Sequence, residues 1–152
     1  MRNIRIMYQY DGSKYYGFQR QKNKDTVQGD IEKIVFSKFN EKINMTSSGR
    51  TDRGVHALGQ VSNFSISKRI PLDAIKQQIN KTLRGKVKIL SIEEIHADFN
   101  ARFDAKRRTY LYVLKNESKI TPFEAPYVTS IKEEIDIDKL QLIFQPLTGV
   151  HD

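Results

Sequence analysis

Cysteine is absent from this 152-residue chain. That excludes a disulfide framework, a thiol nucleophile and any thiolate-held zinc or iron–sulfur site, and it favours a reducing interior. Histidine is scarce, and His56, His96 and His151 lie too far apart for a metal-ligand spacing, so no metal site is read from them. No GxxxxGK[ST] or GxGxxG segment occurs, which leaves nucleotide-cofactor cradles without support. Nor is there a signal-like or membrane-spanning apolar run, and the expectation is a soluble cytoplasmic protein with no membrane association. Acid is the minority charge: 18 Asp and Glu stand against 26 Lys and Arg, a formal net charge of +8. An excess of this sign attracts polyanions, nucleic acid foremost. An evenly solvated basic surface would give the same total. Here, however, the basic residues gather at Lys14 to Lys24, Arg50 to Arg53, Lys68 and Arg69, Arg84 to Lys88 and Arg102 to Arg108, mostly at loops and element ends.

What is present is a regular alternation of elements. In "NIRIMYQY", Ile4, Ile6, Tyr8 and Tyr10 alternate with Arg5, Met7 and Gln9, as in a half-buried strand, and "DGS" ends it as a turn. Thr26 can cap a helix that places Val27, Ile31, Ile34, Val35 and Phe39 on one face. "KINMTSS" and "GQVSNFSI" read as second and third strands. Pro71 suits the first turn of a second helix, with Leu72, Ile75, Ile79 and Leu83 inward, and "VKILSIEEI" is a fourth strand. The order strand–helix–strand–strand–helix–strand predicts an α+β ferredoxin-like module. "RRTYLYVL" then reads as a strand apolar on both faces and therefore central. A loop with Pro122 and Pro126 follows, and Asp136 can cap a last helix with Ile137, Leu140, Ile143 and Phe144 inward, ended by Pro146. The expected domains are residues 1–105, a complete module, and residues 106–152, the start of a second, similar and incomplete one.

Asp52 is the foremost residue for chemistry. It sits between Arg50 and Arg53, with Gly49 and Gly54 bracketing a loop that a ligand backbone can approach closely. Neighbouring guanidinium groups favour the ionised carboxylate, which can act as a nucleophile or a base. An Arg-x-Asp triplet is also a common loop salt bridge, and spacing alone does not separate the two. His56 shares the loop. Tyr110 and Tyr112 on an apolar strand are core residues by default, although a tyrosine there could also stack on a base. From the residues alone, an RNA-directed enzyme and a plain RNA-binding module both stand.

Four segments, in order, then carry a resemblance. "GRTDRGVHALGQVSNF" is similar to the GRTDxGVHAxGQV signature of the TruA family of tRNA pseudouridine synthases, and "YDGSKYYGFQRQKNKDTVQGDIE" to its YDGxxxxGxQxQxxxxTVQxxLE segment. "FNARFDAKRRTYLYVL" resembles FHARFxAxxRxYxY, and "LTGVHD" resembles LxGxHDF. The resemblance implies isomerisation of uridine to pseudouridine in the tRNA anticodon stem-loop, at tRNA positions 38–40, by a homodimer needing no metal or organic cofactor. It implies that Asp52 is the essential aspartate and that Tyr110 stacks on the target base and handles the C5 proton. By the same resemblance, Arg50 orients Asp52 or binds RNA, and Arg102 and Arg108 meet phosphates. Arg53, at a variable position of the signature, and His56, which shares the loop, are further candidate orienting or RNA-binding residues. Addition of the aspartate to the sugar, addition to the base, and removal of a sugar proton remain alternatives. Phe18 stands where the family often has Trp, Asn100 where it usually has His, and Arg84 in place of a proline. The family pattern continues into a second module that supplies an active-site arginine and apolar pocket residues. The chain is therefore expected to be a front portion of such an enzyme, weakly active or inactive alone. The competing expectation is a non-catalytic RNA-binding protein that retains the family's surface. An RRM-like reader is disfavoured, because "GQVSNFSI" lacks the aromatic RNP1 pattern.

Overall fold

A computed structural model of the protein describes residues 1–151, so the final aspartate of "LTGVHD" lies outside the described residues. The chain forms two compact units, Met1–Arg108 and Thr109–Asp152.

In the first unit the predicted order is present: β1 (Arg2–Tyr10), α1 (Val27–Phe39), β2 (Thr46–Ser47), β3 (Ala57–Ile66), α2 (Leu72–Thr82) and β4 (Val87–Ile95). The strands make one antiparallel sheet in the order β2-β3-β1-β4. The alternation along β1 sends Ile4, Ile6, Tyr8 and Tyr10 to the face that the helices cover. There they join Val27, Ile31 and Val35 of α1, Ile75 and Ile79 of α2, and Phe64, Ile66 and Ile89 of the other strands in one core. Burying each such side chain contributes about 1.5–3 kcal/mol, so this face dominates the unit's stability. Thr26 caps α1 through the Gly29 N–H at 3.2 Å, and Asn40, at φ 49°, closes it in the left-handed conformation. Pro71 lies one position before α2, at the cap, where its carbonyl receives the Ala74 and Ile75 N–H groups.

The second strand is shorter than "KINMTSS" suggests. Ile43 and Met45 are buried, but the Met45 backbone pairs with α1 side chains instead of a strand. Its N–H donates to Glu32 Oε1 at 3.0 Å, and its carbonyl receives Gln28 Nε2 at 3.4 Å. Two helix side chains thus replace a ladder partner, and pairing with β3 begins only at Thr46.

In the second unit, β5 (Leu114–Asn116) and β6 (Thr129–Ile131) pair in parallel, and α3 (Ile137–Phe144) follows, capped as expected by Asp136 on the Lys139 N–H. The helix stops before Pro146. Two expectations fail here. "RRTYLYVL" is not a buried central strand: only Leu114 of it is in β5, and Tyr110, Leu111 and Tyr112 are exposed. Most apolar side chains of α3 are not inward either: Ile137, Ile143 and Phe144 are each more than half exposed, and Leu140 is half-buried. Both patterns are apolar because they ask for a cover, and no described element of this unit supplies one.

Candidate active site

The Asp52 loop joins β2 to β3, and its two ends are tied down by different means. On the β2 side, the Ser48 N–H donates to the Val61 carbonyl at 2.9 Å and Ser48 Oγ donates to Gln60 Oε1 at 2.7 Å. Gln60 Nε2 in turn reaches the Gly49 carbonyl at 2.9 Å, so one buried glutamine side chain fixes two consecutive loop residues. One turn of chain further on, Thr51 is held twice: its Oγ1 lies 2.8 Å from the Tyr10 hydroxyl, and its carbonyl receives the Phe18 N–H at 3.0 Å. Burial pushes the Tyr10 hydroxyl above its ordinary pKa, against the opposing pull of the Thr51 hydrogen bond, so the phenol keeps its proton.

On the β3 side the chain reverses through Gly54 at φ 84°, a conformation that other residues adopt only with strain. Gly12 lies against this turn so closely that a Cβ there would overlap the Val55 carbonyl. His56 is half-buried at the loop's foot, its Nδ1 lying 3.1 Å from Asp11 Oδ1 and 3.2 Å from the Gly12 nitrogen. A single ring nitrogen cannot donate to Asp11 and accept from Gly12 at once, so its tautomer selects one of the two. Partial burial raises the Asp11 carboxyl. The hydrogen bonds from Ser13 and the charges of His56 and Lys14 outweigh that and hold it below the ordinary aspartate range.

Between these anchors the tip stands free. Arg50, Asp52, Arg53, Gly54 and Val55 are all exposed. Among the described residues the Asp52 carboxylate makes no hydrogen bond or ion pair; only its backbone carbonyl is engaged, by the Val55 N–H at 3.2 Å. The loop salt bridge is therefore not what this arrangement holds. Arg53 turns to the ring of Tyr16 instead, its guanidinium carbon 4.7 Å from the centroid. The geometry presents a carboxylate on a fixed support without a neutralising partner, flanked by two exposed guanidinium groups.

Arg102 and Arg108 come to the same side of the first unit as the β2 end of the loop. Arg108 Nε donates to the Ser48 carbonyl at 2.8 Å, and its Nη2 to the Arg102 carbonyl at 3.5 Å. The segment that bears Arg102 is fastened to the sheet by two asparagines. Asn3 Nδ2 reaches the carbonyls of His96, Ala97 and Phe99, while Asn63 accepts from the Ala101 N–H at 2.9 Å and donates to the Phe99 carbonyl. Asn100 caps the following turn, its Oδ1 accepting from the Arg102 N–H at 3.0 Å. Tyr110 belongs to the second unit, where the residue is 73% exposed. Sequence reasoning named the tip of the Asp52 loop but missed what holds it: Tyr10, Gln60, Ser48 and Gly12. Gln60 and Tyr10 carry no local signal for such a role, because their partners lie 11 to 41 residues away in sequence. Among the described residues, no group of three or more His, Cys, Asp or Glu side chains is arranged to hold a metal ion, and no helix is long and apolar enough to cross a membrane.

A family model described as tRNA pseudouridine synthase matches residues 6–104. Over the whole chain, the protein is 40% identical to the tRNA pseudouridine synthase A of Borrelia turicatae, of which it covers 62%. It is likewise 41% identical to that of Dictyoglomus thermophilum and 40% identical to that of Solibacter usitatus, covering 63% of each. The chain thus spans somewhat less than two thirds of the length of the curated relatives it matches.

Proposed function

We propose, from the premise that this chain belongs to the tRNA pseudouridine synthase family, that it bears the reacting carboxylate of an enzyme that turns uridine into pseudouridine in the anticodon stem-loop of tRNA. The observation that carries the reading is the Asp52 carboxylate, exposed and unpaired among the described residues at the tip of a loop whose two ends are fixed.

The chemistry asks for little else. The C1′–N1 bond of the target uridine breaks, the base turns while retained, and C5 bonds to C1′; C5 loses its proton and N1 gains one. Nothing is oxidised and nothing leaves, so one positioned carboxylate suffices without a cofactor. A base inside a stem must first be turned out, which costs a few kcal/mol. Arg50 and Arg53 beside Asp52, and Arg102 and Arg108 at the β2 end of the loop, are the groups available to hold the distorted strand through its phosphates. Tyr110 is assigned the stacking face for the displaced base. His56, tied to Asp11 and Gly12, is assigned the support of the loop's foot.

The architecture is read in the same way. The first unit's element order and its β2-β3-β1-β4 antiparallel sheet support a ferredoxin-like module over residues 1–105, with residues 106–152 beginning a second. A homodimer in the cytoplasm completes the reading; it rests on the family resemblance and the cysteine-free composition.

The test is tritium release from tRNA labelled at uridine C5, measured with this chain extended by the portion of a curated relative that it does not cover. The extended protein is expected to release tritium and its Asp52→Asn variant to lose the activity. An unimpaired variant overturns the reading. Binding of tRNA without turnover in the extended wild type would favour the non-catalytic RNA-binding alternative.

A further inference from the structure

Tyr16 is 46% exposed although it stands between two of the most buried aromatic residues of the chain's first loop, Tyr15 and Phe18. Its ring is occupied by cations. Lys24 Nζ lies 4.6 Å from the ring centroid and Arg53 Cζ 4.7 Å from it, so the two charges can be no farther apart than those distances allow. Among the described residues neither cation has a carboxylate partner. Each of these cations lacks a carboxylate partner and is stabilised by an anion brought beside the ring.

The three residues come from separate segments that the backbone laces together. The Tyr16 N–H donates to the Asp25 carbonyl at 2.9 Å, next to Lys24, and the Phe18 N–H donates to the Thr51 carbonyl at 3.0 Å, two residues before Arg53. Between them Gly17, at φ 113°, passes so close to the Asp52 loop that a Cβ would sit 3.6 Å from the Arg53 nitrogen. The cation pair is therefore fixed relative to Asp52 by the same contacts that fix the loop. With both cations directed to the ring, Tyr16 is a mount for charge and not a stacking surface for a base.

We infer that Lys24, Tyr16 and Arg53 form a phosphate clamp that grips a phosphodiester of the RNA strand beside the nucleotide presented to Asp52. The inference rests on the proposed function and adds to it a binding subsite with a defined ligand class. A phosphodiester suits the pair better than a carboxylate on a protein, because the whole chain carries an excess of eight positive charges and its partner is a polyanion. Arg53 brings a planar fork that can hold two phosphate oxygens, and Lys24 a point charge for a third contact.

The test is binding of an anticodon stem-loop RNA to this chain by fluorescence anisotropy across a salt series. Each lost phosphate contact lowers the slope of log K against log salt by roughly 0.7–0.9. The Lys24→Gln, Arg53→Gln double variant is expected to lose roughly 1.5 of that slope, whereas Arg53→Lys keeps it. Tyr16→Leu is expected to weaken binding and Tyr16→Phe to preserve it. Lys42→Gln, which removes one positive charge at another exposed lysine of the first unit, is expected to leave the slope within error. A fraction of misfolded protein would lower the amplitude and leave the slope alone, so the readout separates folding from contact. If the wild type binds and the double variant has its slope, the clamp is overturned while the proposed function stands. If the wild-type chain binds no stem-loop RNA, the clamp falls, while the proposed function is decided separately by tritium release from the extended protein. Displacement of the RNA by inorganic phosphate at concentrations where sulfate is inert would mark a site for the free ion and overturn the clamp.

Discussion

Ile6 and Leu142 are similar aliphatic side chains, each placed by a regular element, yet Ile6 is fully buried and Leu142 is 66% exposed. The contrast holds for their whole units. In the first, two helices cover one face of a four-stranded sheet and nearly every apolar position along β1 finds neighbours. In the second, a two-stranded ladder and one short helix leave Tyr110, Tyr112, Phe123, Ile143 and Leu147 exposed. Patterning makes an element; only a facing layer makes a core. The first unit therefore has a packed base on which to mount a free carboxylate, and the second leaves these apolar residues exposed.

The largest effect that tests this contrast comes from the core. Ile6→Ala is expected to destabilise the protein by ~2–5 kcal/mol, because a fully buried side chain leaves a cavity. Leu142→Ala is expected to stay within ~0.5 kcal/mol, since its side chain is already in water. Urea denaturation of both variants decides it, and equal losses would erase the distinction between the units. A smaller effect is expected at the foot of the Asp52 loop. Gly12→Ala should cost ~1–3 kcal/mol, because its Cβ meets the rigid Val55 carbonyl. Gly59→Ala, where a Cβ meets nothing within 4 Å, should be near neutral. Amide shifts confined to residues 51–56 in the Gly12 variant would show that this contact sets the loop; an unchanged spectrum would show that it does not.

The smallest effect is a titration in the second unit. Hydrogen bonds from Lys115 Nζ, at 2.7 and 2.8 Å, and from Thr121 bring the Glu124 carboxyl down from an ordinary 4.5 to about 2. A pKa lowered on folding gives stability that is complete above the ordinary value and fades as pH falls from 4.5 toward about 2. Solvent exposure keeps that contribution small. An NMR titration of the Glu124 side chain should find the low midpoint, and Lys115→Ala should move it upward. A midpoint near the ordinary value in the wild type would mean that the Lys115–Glu124 pair does not order this unit in solution.

Much of the first unit was legible because its signals are local. The Ile4–Tyr10 alternation, the Thr26 cap and the spacing of Ile75 and Ile79 each depend on a few adjacent residues, and the elements follow them. β2 shrank because the Met45 backbone is satisfied by Gln28 and Glu32, a choice that no window around Met45 contains. "RRTYLYVL" misled for a related reason: an apolar run states that a strand would be buried if covered and is silent on whether a cover exists.

At the candidate site the division is similar. The sequence by itself determined which carboxylate stands between which arginines, that glycines let the loop turn, and that the charge around it favours a polyanion. Composition and spacing are enough for that, because they concern neighbours along the chain. Only the tertiary structure decided that Asp52 is unpaired among the described residues, that Arg53 lies on Tyr16 with Lys24 beside it, and that Tyr10 and Gln60 hold the loop from beneath. Apart from Lys24 on Tyr16, those contacts join residues 11 to 41 positions apart in sequence. Closing the loops between them costs entropy that only the folded sheet repays, so no short stretch of sequence encodes them.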